Sequence, residues 1–147
     1  MHPVAKKYFD LTLDDQKLVQ VELCIKVYRL WLDYVSENGI CEYQESVAGT
    51  IQTIDYSLPK DAIEAVKNGI DTLNVAERNQ EPAAALQDND LAFTDDMEMA
   101  YYSIYNLYQY HIAHKLDVSW VIVNQALSAY GKKDTVAIFG QAIENVA

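Results

Sequence analysis

The chain has 147 residues, half of them hydrophobic, and 22 acidic against 11 basic residues give a formal net charge of −11. That length suits one domain that buries about 70% of its unfolded surface, so folding requires neither a metal nor a disulfide. The acidic balance would repel phosphate, which argues against nucleic acid as a partner, and the apolar runs are too short for a bilayer, which argues against a membrane.

Residues 1–11 read as a short N-terminal arm. Lys6 and Lys7 have no apolar stretch behind them, so the pattern of a secretory leader is missing. Thr12-Leu13-Asp14-Asp15 then resembles a helix start: the Thr hydroxyl can cap, and two acids suit the positive end of the helix dipole. Leu18, Val21, Ile25, Tyr28, Leu32 and Val35 follow at alternating steps of three and four, which marks one helical face. A second stripe, Leu23, Val27, Leu30 and Tyr34, runs beside it with Trp31 between. A helix apolar over so much of its circumference is expected to sit centrally, with neighbours on two sides. Asn38-Gly39 supplies its stop.

Residues 44–58 place Val47, Ile51, Ile54 and Leu58 at helical steps, although Gly49, Thr50 and Thr53 weaken a helix there. Pro59 suits the first turn of the next helix, whose stripe is Ile63, Val66, Ile70 and Leu73. Gly69 interrupts that stripe. Either a neighbour packs closely against it, or Asn68-Gly69 breaks the helix. Residues 77–94 carry Pro82 and many Asn, Gln and Asp residues, and read as an acidic loop with some helix at Ala83–Leu86 as the alternative.

Thr94-Asp95-Asp96 opens another helix, with Met97, Tyr101, Ile104, Tyr108 and His111 along one stripe. Residues 118–130 continue through Trp120, Val123, Leu127 and Tyr130 to Gly131, and residues 134–146 offer Val136, Phe139 and Ile143. Two short β-branched stretches, Val118–Val123 and Val136–Phe139, are the strand-like exceptions. The expected fold is all-α: a single-domain bundle of five or six helices.

Cys24 lies in an apolar helical stretch and reads as a small buried thiol, whereas Cys41 falls in a turn-like region. A bond between them stays open, but with no leader two reduced thiols in the cytoplasm are favoured.

The charge is uneven. Residues 77–98 hold seven acids (Glu77, Glu81, Asp88, Asp90, Asp95, Asp96, Glu98) against Arg78, a net of −6 out of −11. Such acids can simply solubilise a loop and cap a helix; as a group they can also steer a basic partner. Directly after them, residues 99–110 hold five of the eleven tyrosines. Tyr101, Ile104 and Tyr108 share one helical face, and Tyr102, Tyr105 and Gln109 share another. Tyrosines pack cores with their hydroxyls at the surface, and they also anchor interfaces. The expected partner-binding residues are therefore Asp88, Asp90, Asp95, Asp96, Glu98, Tyr102 and Tyr105.

Catalytic signatures are lacking. There is no Gly-x-Gly-x-x-Gly, no Walker-type Gly-Lys-Ser/Thr and no Gly-x-Ser-x-Gly. His111 and His114 are three apart, but no Glu-x-x-His accompanies them, and histidines beside Lys115 suit the negative end of a helix dipole. No metal, cofactor or catalytic residue is expected.

In size, acidity, lack of catalytic motifs and its acidic–aromatic patch, the chain resembles the bacterial immunity proteins, small inhibitors of secreted toxins. The likeness is one of general character and carries no residue across. It implies a non-catalytic module that docks a basic protein, such as a toxin. The alternatives are a self-associating structural or regulatory bundle, such as a homodimer, and a small enzyme or carrier with a pocket lined by Tyr101, Tyr108 and His111.

Overall fold

The computed structural model describes residues 2–38, 42–44, 49–53, 58–71, 75, 94–131 and 134–146. Among these residues the elements are α1 (Pro3–Asp10), α2 (Leu13–Asn38), β1 (Glu42–Gln44), β2 (Ile51–Thr53), α3 (Leu58–Asn68), α4 (Asp95–His111), α5 (Trp120–Ser128) and α6 (Thr135–Val146). The architecture is an all-α bundle carrying one small antiparallel hairpin. α4 packs against α2, α3 and α5, while α6 packs against α1, α2 and α5.

The helix starts follow local chemistry. In α2 the Thr12 hydroxyl accepts from the Asp15 backbone N–H at 3.1 Å, and in α4 the Thr94 hydroxyl accepts from Met97 N–H at 3.3 Å. Each contact satisfies one of the donors that a helix N-terminus leaves unpaired. α3 ends at Asn68, with Gly69 at φ +73° and the Ile70 N–H donating back to the Ala65 carbonyl at 3.1 Å. Glycine takes that left-handed position without a Cβ clash, so Asn68-Gly69 is a helix terminus. Ile70, which the spacing places on the core stripe, is exposed beyond that end.

Three expectations change. The opening arm is helical: His2 caps α1 through Nδ1, Pro3 takes the first turn, and Tyr8 is fully buried. Tyr8 meets Trp120 and Phe139 at centroid distances of 5.6 and 5.5 Å, so the short helix is held by an aromatic cluster. The helix expected over residues 44–58 is not found where that range is described, which excludes 45–48 and 54–57: Gln44 and Ile51–Thr53 are strand. Tyr43 pairs with Gln52, flanked by Glu42–Thr53 and Gln44–Ile51, and Gly49 (φ +70°) lies between the two strands. The β-branched Ile51 and Thr53 with a left-handed glycine nearby favour a hairpin over a helix. Conversely, Val136–Phe139 lies inside α6, and most of Val118–Val123 lies in α5, where neighbours bury Ile122, Val123 and Phe139. Packing overrides the β propensity there.

The central helix is α2. Of its second stripe, Leu23 and Val27 are fully buried and Leu30 and Tyr34 half-buried; the intervening Trp31 is fully buried, as are Val19 and Cys24. Trp31 meets Tyr101 of α4 at 5.2 Å between centroids. Most of the first stripe also serves the core: Val35 is buried, and Val21, Ile25 and Tyr28 pack against the buried cluster. Leu18 is 53% exposed and Leu32 40%, with Val21, Ile25 and Tyr28 half-buried between them. α2 has helical neighbours on several sides, as its two apolar stripes imply, and of the first stripe only Leu18 and Leu32 are left at the surface.

Candidate functional site

α4 carries the expected site. Its first turn holds Asp95, Asp96 and Glu98, where carboxylates lie at the positive end of the helix dipole. Between Thr94 and His111 there is no lysine or arginine. One side of α4 builds the core through Ala100, Tyr101, Ile104, Leu107 and Tyr108. Tyr101 and Tyr108 are 2% and 3% exposed, and the Tyr108 hydroxyl donates to Asp71 Oδ2 at 2.6 Å.

Glu98, Tyr102, Tyr105 and Gln109 form the other row, spaced four, three and four residues apart, and all four are half-buried. At about 100° per residue they project from one side of the helix. Burial raises the Tyr102 phenol pKa, and the Glu98 carboxylate raises it further. The Tyr105 phenol is also raised by burial, with Gln109 opposing that rise by a hydrogen bond. Both phenols therefore remain neutral donors at ordinary pH, which suits them to interface contacts. Tyr105 stacks on Tyr108 at 6.4 Å and 17°, and Tyr102 meets Tyr101 edge-on at 6.4 Å. Core rings thus brace the outward rings.

Asp95 is exposed at the start of this row. Asp96 sits elsewhere: it points toward Gly131 after α5, where a Cβ on the glycine would lie 3.3 Å from Asp96 Oδ2. Asp88 and Asp90 lie outside the described residues. The structure therefore brings Asp95, Glu98, Tyr102 and Tyr105 together on one side and puts Asp96 on another.

The C-terminal end of α4 has its own polar system. Tyr8 accepts from Gln20 Nε2 at 2.7 Å, and Gln20 Oε1 lies 2.6 Å from His111 Nε2. Because the amide oxygen accepts, the imidazole carries its proton on Nε2. Burial, with Lys17 and His114 nearby, lowers the His111 pKa from 6.5 to about 4. The ring is neutral at ordinary pH. Beside it opens a cleft of about 440 Å³ lined by Tyr110, His111, His114, Leu116 and Asp117. The enzyme-or-carrier alternative calls for a pocket lined by Tyr101, Tyr108 and His111. The cleft shares His111 with that set, but Tyr101 and Tyr108 are core residues. The signal that could have revealed the polar chain was Gln20, a buried amide between Val19 and Val21, since a buried amide needs a partner.

No group of three His, Cys, Asp or Glu side chains among the described residues is placed to hold a metal ion. Cys24 is buried and free, its Sγ 3.8 Å from the Ser103 carbonyl oxygen, and burial raises its thiol pKa strongly. It is an inert core thiol. No described helix is long and apolar enough to cross a membrane.

The fold and this surface define a helical bundle with an acidic–phenolic helix face. No protein-family model matches the chain, and neither the curated proteins nor the solved structures contain a significant match.

Proposed function

We propose that the protein is a non-catalytic binding module, and that the Asp95–Glu98–Tyr102–Tyr105 row of α4 docks a partner with a basic surface. The observation that carries this reading is the row itself: carboxylates and half-exposed phenols share one side of a helix that has no cation of its own. Carboxylates would speed encounter with a basic partner, and the phenols would supply contact area and hydrogen bonds after docking. Arginine suits such a row, since its guanidinium pairs with carboxylates and stacks on tyrosine rings. The concrete form is an immunity-type inhibitor that covers a basic toxin, acting in the cytoplasm with Cys24 reduced.

The test is capture of basic proteins on the immobilised chain at low and high salt, with a Glu98→Gln/Tyr102→Ala/Tyr105→Ala variant in parallel. Expected is binding that weakens with salt and is lost in the variant. Binding that ignores both salt and substitutions would contradict the reading.

A further inference from the structure

We infer that Asn68, the last residue of α3, is a site of spontaneous covalent modification, where the side-chain amide is lost through a cyclic imide formed with Gly69. The reacting groups are adjacent and open. Asn68, Gly69 and Ile70 are all exposed. Gly69 has no Cβ to shield its backbone nitrogen, and the space where a Cβ would lie is empty to 4 Å. The Gly69 N–H donates to the Val66 carbonyl at 3.3 Å, a long contact. Helix ends open at little cost, which lets the Asn68 side chain turn onto that nitrogen.

Other asparagines are worse placed. Asn106 donates to Gln125 Oε1 at 2.7 Å and precedes Leu107, and Asn145 donates to Glu22 Oε1 at 2.5 Å and precedes Val146. Asn124 lies inside α5 and precedes Gln125. In each case the next residue carries a side chain beside its nitrogen, and helical hydrogen bonding holds the backbone in place.

The chemistry needs only water and hydroxide. Hydroxide takes the Gly69 amide proton, and the nitrogen attacks Asn68 Cγ. An N–C bond forms, the Cγ–Nδ2 bond breaks, and the nitrogen leaves as ammonia with a proton from water. The product is a succinimide. Water then opens it at either carbonyl. One opening gives aspartate in the original backbone; the other gives isoaspartate, whose chain continues through Cγ. Nothing is oxidised or reduced.

Both products put a new carboxylate at the negative end of the α3 dipole, an unfavourable position. Isoaspartate also inserts a methylene into the backbone shortly before Asp71, which accepts from the Tyr108 hydroxyl at 2.6 Å and from the Val75 N–H at 3.0 Å. The change therefore loosens the tie between the end of α3 and α4. It uses no residue of the α4 row, so it stands or falls separately from the proposed function.

Warm incubation of the intact chain at mildly alkaline pH, followed by tryptic peptide mapping, tests the inference. The peptide of residues 68–78 should gain about 1 Da and split into two products of equal mass, aspartate and isoaspartate, with fragmentation placing the change on Asn68. Asn38-Gly39 falls on a different peptide and is read separately. Conversion at Asn68 should run several-fold ahead of Asn106, Asn124 and Asn145, and should rise with pH. The aged chain should unfold at lower denaturant than the fresh one. Asn68→Gln, a change at an exposed position, should fold normally and resist that loss. An Asn68 that stays intact while the other three react, or that converts at a rate indifferent to pH, overturns the inference. An aged Asn68 with an unchanged unfolding midpoint overturns the link to α4.

Discussion

The outward faces of α2 and α4 belong to helices that meet through the Trp31–Tyr101 contact, yet they differ in chemistry. The α2 face is aliphatic, half-buried, and edged by charges of both signs; the α4 face is phenolic with carboxylates alone. The aliphatic side chains of the α2 face, Val21 and Ile25 among them, already pack against the core and serve stability. A carboxylate–phenol row stays hydrated when free and suits a charged partner that comes and goes. Two helices of one bundle can therefore divide the work, one face closing the core and the other presenting charge, provided that the joint between them holds.

Breaking the joint should have the largest effect on both faces. Trp31 is fully buried, so Trp31→Ala should cost about 3–5 kcal/mol in chemical denaturation, through lost contacts and the cavity left behind. A loss below about 1 kcal/mol would show that the two helices are not joined there.

Acid should come next, through His111 at the far end of α4. The folded-state pKa near 4 lies below the ordinary 6.5, so the folded protein binds this proton less readily than the unfolded chain. The contribution is therefore fully present above pH 6.5 and is lost as pH falls toward 4. Full conversion would give about 3 kcal/mol; His111 is half-buried, and solvent screening reduces this to about 1–2 kcal/mol. A series of denaturant melts between pH 7 and 4 should show this loss, and His111→Gln should flatten it. An equal slope in that variant would assign the acid sensitivity to other groups.

Two smaller changes separate helix ends from surface chemistry. Thr94→Ala removes the α4 cap and should cost about 1 kcal/mol, with the row still in place. His114 has a positive φ of +55°, and the following Lys115 N–H donates to the Gln109 carbonyl at 2.9 Å, the arrangement of a helix C-terminus closed by a left-handed residue. His114→Gly should raise stability by about 0.5–1 kcal/mol, because glycine adopts that conformation without strain. A loss on that substitution would mean that the imidazole makes a contact worth more than the strain.

Much of the fold was legible in the sequence because its signals are local. Thr12 and Thr94 each placed a helix start, and the steps through Tyr101, Ile104 and Tyr108 correctly marked the core face of α4. The α2 helix was legible, and so was its central place, because apolar residues on two faces require neighbours on both. What periodicity does not reveal is that Leu18 and Leu32, with the same spacing as their buried neighbours, stay exposed. The hairpin escaped because three-residue strands are too short to show period two, while Val47, Ile51 and Ile54 happen to fit a helical step. The α1 helix escaped because one residue, Tyr8, anchors it in an aromatic cluster built from α5 and α6. For the site, spacing placed Glu98, Tyr102 and Tyr105 in one row, whereas Asp96 turns toward Gly131, a contact that no local pattern encodes.

The most direct test of the α4 row is a nitrogen–proton NMR titration of the intact chain with a short arginine-rich peptide, at low and at high salt. The account predicts that the largest shifts fall on Asp95, Glu98, Tyr102 and Tyr105, shrink at high salt, and leave the Leu18–Leu32 stripe unmoved. Equal shifts at acids throughout the molecule, or the largest shifts along α2, would contradict it.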